Sequence, residues 1–382
     1  MKSFPKKLQT KLDQRQEVNA LRQLGSQNRL IDFASNDYLG FSKSEVIFKR
    51  THQYLIDNSL FTNGATGSRL LSGNHSLYKE VENLLRKFHK SESALIFNSG
   101  YDANVGFFAS IPQRGDTILY DEYIHASIRD GISISNSKAY KFRHNDLAHL
   151  DELLKRIQHD ETIYVVTESV FSMDGDSPDL KYLSKICNEH DAYIVVDEAH
   201  ALGVFGEHGS GLIQELGLEN KVFARIVTFG KGLGCHGSAI LGSTSLTEYL
   251  VNFARPFIYT TGLPPHSLAT IKSAYQELTI TNSIGVLRKN IEWFNSEVQQ
   301  LELEHYFIES NSAIQSCILS GNQKVKSLAT LLQNKSFDVK PILSPTVPER
   351  QERLRFCLHS YNSEKEVTQV LTLLATFVKE IN

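Results

Sequence analysis

The sequence predicts an α/β protein, with a large domain on a mostly parallel sheet and a smaller α+β domain after it. Three observations carry this. Between about Leu70 and Ile240, short apolar runs alternate with amphipathic stretches. The runs are β-rich and do not alternate strictly with polar residues, as expected of strands covered on both faces. A chain of 382 residues is also long enough for a large core and two packed domains.

Residues 6–24 place Leu8, Leu12, Val18, Leu21 and Leu24 at roughly helical spacing, which predicts an amphipathic leading helix. Strands are expected in "SALIFNSG" (93–100), "DTILY" (116–120), "TIYVVTES" (162–169), "AYIVVDEAH" (192–200), "RIVTFGK" (225–231) and "GSAILGS" (237–243). The helical stretches "HSLYKEVENLLRKFH", "DLAHLDELLKRIQ" and "DLKYLSKICNEH" intervene. "TTGLPPHSLATIKSAYQEL" reads as a turn into a long connecting helix. After about residue 276 come helices and shorter strands, among them "AIQSCILSG" and "ERLRFCLHS". The expected divisions are 1–45 for a helix and arm, 46–275 for the large domain and 276–382 for the smaller one.

Composition narrows the function. A formal charge of −3 with scattered basic residues gives no electrostatic reason to expect nucleic acid or an anionic membrane as partner. Cys187, Cys235, Cys317 and Cys357 form no C-x-x-C pair, so they read as reduced thiols with no metal site. The charged start "MKSFPKKLQTKLDQRQEVNALRQL" lacks the apolar core of a signal peptide, and no run of about 18 apolar residues exists to span a membrane. The expected location is cytoplasmic.

Two motifs suggest nucleotide binding, and both are incomplete. Gly232 to Gly237 spell G-x-G-x-x-G, yet "SAILGS" after them reads as a strand where a dinucleotide turn needs a helix. No acidic residue waits for a ribose near Phe257. "VVDEAH" (195–200) resembles the Walker B strand of a DEAH-type helicase. The only Gly-Lys pair, Gly230-Lys231, is followed by glycine and so is no P-loop.

What remains is an acid ending one strand, Asp197, and a lysine 34 residues later ending another, Lys231. In an open parallel sheet, ligands sit outside the carboxyl ends of strands, where both residues would reach one crevice. Pyridoxal phosphate chemistry needs this pair: a lysine for the Schiff base and a carboxylate to keep the pyridine nitrogen protonated. A surface lysine and a helix-capping aspartate are the plainer alternatives. "FNSGYDAN" (97–104) follows a strand and opens a helix through Ser99 and Gly100, whose free amides suit a phosphate. His125 has two readings, stacking on a flat ring or capping a helix. His200 is a candidate for the ring's phenolic oxygen. Ser172, in "TESVFSMDGD", is either a ligand or a turn former. Arg355 is either a carboxylate clamp or a surface charge.

The residues in these motifs resemble the α-oxoamine synthases, pyridoxal phosphate enzymes of the aspartate aminotransferase fold (fold type I). The matching motifs run nearly end to end: "SNDYLG" (35–40), "GATGSRLLSGNH" (64–75), "FNSGYDAN", "IHAS", "FRHND" (142–146), "TESVFSMDGD", "VVDEAHALGVFGEHGSG", "VTFGKGLG" and "FIYTTGLPP". The resemblance implies pyridoxal 5'-phosphate as cofactor, with Lys231 as the Schiff-base lysine and Asp197 the partner of the pyridine nitrogen. It implies that His125 stacks on the ring and that His200 and Ser172 hold its phenolic side. Ser99, Gly100, Tyr101 and Thr228 would hold the phosphate, with Thr260 and Thr261 reaching the phosphate of a neighbouring subunit in a homodimer. Arg355 would hold the amino-acid carboxylate and Arg22 the acyl substrate.

"FIYTTGLPP", with Gly237-Ser238-Ala239 where glycine-using and sphingoid-base members more often carry Gly-Gly-Tyr, points within the family to biotin biosynthesis. The implied reaction condenses L-alanine with a pimeloyl thioester of coenzyme A or acyl carrier protein. The alternatives are a glycine C-acetyltransferase or a serine palmitoyltransferase-like enzyme. Only eight residues, Gln23 to Leu30, separate Arg22 from "IDFASNDYLG", a shorter arm than in many relatives. Glycines 230, 232 and 234 are expected to leave room for the Schiff base to form and swing.

Overall fold

The computed structural model describes residues 4–18, 21–22, 24, 29–157 and 162–381. The chain divides into two compact units, one of Asn36–Ser172 and Asp176–Arg288, the other of the described residues of 1–35, 173–175 and 289–382.

The first helix, α1 (Lys6–Glu17), belongs to the second unit and has no buried residue, with Leu8 and Leu12 both exposed. It stops at Glu17, so Val18, Leu21 and Leu24 lie beyond the helix that their spacing predicts. Asn19, Ala20, Gln23 and residues 25–28 lie outside the described residues.

The larger unit begins with α2 (Glu45–Asp57) and α3 (Ser76–Phe88), then β1 (Ser93–Phe97) and α4 (Gly100–Ser110). β2 (Thr117–Asp121), α5 (Ala126–Ile134), β3 (Lys138–Phe142) and α6 (Leu147–Leu154) follow. Next come β4 (Ile163–Glu168), α7 (Leu180–Glu189), β5 (Tyr193–Asp197), β6 (Ala224–Thr228) and β7 (Ser238–Gly242). The unit continues through α8 (Thr244–Phe253) and α9 (Pro265–Leu278).

The seven strands form one sheet in the order β1-β7-β6-β5-β4-β2-β3, and β7 alone runs antiparallel to its neighbours. All six strands expected from the sequence are present. The seventh, β3, was not anticipated because four of its five side chains are exposed, as an edge strand allows.

The mixed apolar runs have a direct cause. Val166, Val195, Ile226 and Ile240 pack on one face with Ala103 and Phe107 of α4, Ile128 of α5 and Leu250 of α8. Val165, Ile194 and Val196 pack on the other with Leu150 of α6 and Leu183 of α7. Successive residues point to opposite faces, so a strand covered twice is apolar at every position. Asp121, Glu168, Asp197 and Thr228 are the last residues of β2, β4, β5 and β6, and all lie along one edge of the sheet. That edge carries the site.

Helix α10 (Ser283–Gln300) leads into the remaining chain of the second unit: β8 (Ile314–Ile318), α11 (Asn322–Asn334), β9 (Lys340–Ile342), β10 (Arg353–Cys357) and α12 (Glu364–Ile381). Its three strands are antiparallel in the order β9-β10-β8. Ile31–Asp32 pairs in parallel with Phe337–Asp338, which ties the N-terminal segment to this unit. Among the described residues no helix is long and apolar enough to cross a membrane.

Candidate active site

Lys231 sits in the connection between β6 and β7, a tight turn closed by its own backbone. Phe229 N donates to Gly237 O at 2.9 Å, Cys235 N to Phe229 O at 2.8 Å, and Gly234 N to Lys231 O at 2.8 Å. Two of its glycines answer to close backbone neighbours. A Cβ on Gly232 would lie 2.5 Å from Leu202 O, and one on Gly234, at φ +60°, would lie 2.1 Å from Ser42 N. At Gly230 the nearest atom would be 3.5 Å away, an ordinary contact. Gly232 and Gly234 admit neighbouring backbone, while a side chain at Gly230 would meet only an ordinary contact.

The lysine amine lies 2.6 Å from His200 Nε2, and His200 Nδ1 lies 2.7 Å from the Tyr38 hydroxyl. An ammonium can only donate, so with Lys231 charged, Nε2 accepts and the ring proton sits on Nδ1. Tyr38 then accepts from Nδ1 and donates its own proton to Asn36 Oδ1 at 3.2 Å. The "DEAH" stretch is thereby explained without nucleotide chemistry. Its histidine meets Lys231, while Glu198 forms a buried ion pair with Arg225 at 2.9 Å.

Asp197 is buried, with 6% of its surface exposed. One carboxylate oxygen accepts from Ala199 N at 2.9 Å and the other from Asn104 Nδ2 at 2.9 Å. The bond from Ala199 lies in a turn and no helix starts there, so Asp197 is not the helix cap of the plainer alternative. Glu168 is its register partner on β4. Burial, followed by the negative charge of Asp197, pushes the Glu168 carboxyl up to about 8. Its Oε1 accepts from His125 N at 2.6 Å.

His125 caps α5 by accepting from Ser127 N. Part of the residue is exposed, yet the crowding around its ring lowers its pKa, and the Lys231 charge acts the same way. The charges of Asp197 and Asp130 oppose the shift without reversing it.

The start of α4 presents free helix-end amides of the kind that suit an anion. Ser99 is its N-cap, with Oγ accepting from Asp102 N at 3.0 Å, so Gly100 and Tyr101 are the first two helical residues. A Cβ on Gly100 would fall 2.6 Å from Thr228 Oγ1, so glycine lets the β6 hydroxyl come close to the bare helix end. Next to it, Asn98 Nδ2 donates to Thr260 Oγ1 at 2.9 Å and to Thr261 O at 2.7 Å, which fixes the "YTTG" turn against the end of β1. Ser172 is buried in the loop after β4, just beyond Phe171, whose N–H donates to Asp176 O at 3.0 Å.

The family model for aminotransferases of class I and II matches residues 28–374. The chain belongs to that family. It is 39% identical over 376 residues to the 8-amino-7-oxononanoate synthase of Emericella nidulans, covering 92% of this chain and 90% of that protein. The crystal structure of 8-amino-7-oxononanoate synthase from Francisella tularensis superposes with a TM-score of 0.79 at 29% identity, over 93% of this chain and 99% of that one. A serine palmitoyltransferase variant from S. paucimobilis, bound to a pyridoxal phosphate–myriocin aldimine, gives a TM-score of 0.88 at 25% identity, over 98% of each chain.

Within this aminotransferase-family chain, Lys231, Asp197, His200, His125, Ser172, Ser99, Gly100, Tyr101, Thr228, Thr260 and Thr261 all fall in the larger unit. Arg22 and Arg355 fall in the other. Arg22 is exposed, and Arg355 is buried on β10 between Ser316 and Lys340 of the adjacent strands. Tyr38, Asn104, Ser127 and Glu168 join these residues without a signal in the sequence that marks them out. Each lies inside a motif already quoted, but its chemistry is also that of an ordinary cap or turn, and only its placement singles it out.

Proposed function

We propose that the chain condenses L-alanine with a pimeloyl thioester, releasing carbon dioxide and the carrier thiol: the 8-amino-7-oxononanoate synthase reaction, on pyridoxal 5'-phosphate. One observation carries the reading. A lysine amine, its histidine partner and a buried carboxylate stand beside a helix N-terminus left bare by glycine. The donor set fits the cofactor. Ser99, the Gly100 and Tyr101 amides and Thr228 suit the phosphate, Asp197 suits the ring nitrogen, Ser172 and His200 suit the phenolic oxygen, and His125 suits the ring face. The names of the relatives support alanine and a pimeloyl thioester over the glycine- and serine-using alternatives.

When bound, the cofactor supplies a protonated pyridine ring that draws electrons from the bonds next to the substrate nitrogen. Asp197 keeps that ring nitrogen protonated, and its fixed oxygens need no rearrangement to do so. Lys231 would hold the cofactor through Nζ, and the same amine would serve as the base for the substrate's α-proton. His200 keeps Nζ on one side of the site. Arg355 takes the amino-acid carboxylate and Arg22 the acyl substrate. Thr260 and Thr261 serve the phosphate of a second copy, so the working form is a homodimer.

Lys231→Ala should abolish both turnover and the mass increase left on the protein by borohydride reduction with the cofactor. A variant that kept both would remove Lys231 from the reaction. Substrate choice is read by offering alanine, glycine and serine with a series of acyl-coenzyme A esters, following thiol release and weighing the product. Clear preference for glycine or serine would overturn the alanine assignment.

A further inference from the structure

We propose that Asn104 and Ser127 are positioning residues that hold His125 as its Nε2-protonated tautomer while anchoring the carboxylate of Asp197. The proposal deepens the pyridoxal phosphate reading and rests on it for its use in catalysis, though not for its geometry.

Asn104 lies on α4 with 2% of its surface exposed. Its amide nitrogen is 2.9 Å from Asp197 Oδ2 and 3.0 Å from Ser127 Oγ. Two amide hydrogens thus meet two acceptors. The reversed orientation would set the amide oxygen against a carboxylate, so the neighbours fix which atom is which. The amide oxygen, Oδ1, is buried without a partner. Leaving a buried acceptor unmatched is a standing cost in a folded protein. It is tolerated here because both donors are committed elsewhere.

Ser127 extends the linkage to His125. Its oxygen accepts from Asn104, so its own hydrogen is free for His125 Nδ1, 2.7 Å away. The Ser127 backbone N–H also points at Nδ1, from 3.2 Å. Two donors converging on one ring nitrogen need its lone pair, so Nδ1 carries no proton and Nε2–H is the ring's single donor. The groups whose charges reach this ring are Asp197, Lys231 and Asp130, and their balance together with desolvation favours the uncharged form. Glu168 holds the main chain of the same residue. His125 and Asp197, the two groups assigned to the cofactor ring, are therefore joined through two side chains. The orientation of one depends on the other.

The test is nitrogen NMR on the full chain labelled at histidine, with and without pyridoxal phosphate, using His125→Gln to identify the His125 signals. Nδ1 should resonate as an unprotonated nitrogen and Nε2 as a protonated one. Ser127→Ala should bring the two signals toward each other, and Ser127→Thr, which keeps the hydroxyl, should restore their separation. Asn104→Ala should weaken retention of the cofactor by about tenfold, as loss of a hydrogen bond to a charged group does. A protonated Nδ1 in the parent protein, or an Ser127→Ala spectrum identical to it, would overturn the proposal. The spectrum without cofactor reads the tautomer directly. If the protein failed to bind pyridoxal phosphate, the functional reading would fall while the tautomer assignment stood.

Discussion

At His144 the ring is held between two carboxylates, with Nδ1 2.9 Å from Asp121 and Nε2 2.9 Å from Asp176, and it stacks on Tyr123. Burial alone would depress its pKa, but Asp121 and Asp176 outweigh that and push it up to about 9. A folded value above the unfolded 6.5 means that the group stabilises the fold fully below pH 6.5 and loses that contribution as pH rises through 9. The shift corresponds to about 3 kcal/mol. His144→Gln should therefore be markedly less stable than the parent at pH 6 in urea, and the gap should shrink by pH 10. An equal gap at both values would show that the imidazolium contributes nothing. Because Asp176 also holds Phe171, beside Ser172, the variant should lose cofactor affinity as well. Lys231 and Asp197 stand out in the sequence as candidates because an acid ending a strand, and a lysine in a glycine turn just past another, are chemically specific. His144 was not, since "FRHND" names a motif without showing the two carboxylates that charge it.

Helix α4 places its cap beside the proposed phosphate site. Its N-cap Ser99, the bare Gly100 and the Thr228 hydroxyl share one small volume. Gly100→Ala places a methyl 2.6 Å from Thr228 Oγ1, so cofactor affinity should fall at least tenfold, measured by absorbance titration. The helix content should hardly change, because alanine is a better helix former than glycine. Unchanged affinity would remove the helix end from the phosphate site. This element could be read from "FNSGYDAN", where a strand, a serine and a glycine open a helix. Strand β3 could not, because an edge strand with one covered face gives no apolar run. The end of α1 was equally hidden, since its leucines keep helical spacing beyond the point where the helix stops.

Across the molecule, the larger unit leaves big apolar side chains in water. Phe61 is 75% exposed, Leu71 85% and Tyr259 72%, while Phe48 packs on His52, which meets His266. Apolar exposure on this scale fits a surface that a second copy covers. Leu71 lies within "GATGSRLLSGNH", and Tyr259 stands directly before Thr260, a residue proposed to serve the neighbour's phosphate. Leu71→Asp should shift the protein from dimer to monomer in sedimentation and lower turnover at least tenfold. A fully active monomer would end the shared-site reading. The fold class was legible because twice-covered strands write continuous apolar runs. Side-chain linkages such as Asn104 to Asp197 join residues 93 positions apart, and no local pattern records them.

The closed turn around Lys231 has one more consequence. With Phe229 tied to Cys235 and Gly237, Gly234 tied to the carbonyl of Lys231 itself, and neighbouring backbone where side chains at 232 and 234 would be, the main chain is held against following the amine. Every displacement of Nζ must come from rotation about the bonds of its own stem. The lysine works as a jointed arm on a fixed post, and its reach is set by carbon count rather than by loop motion.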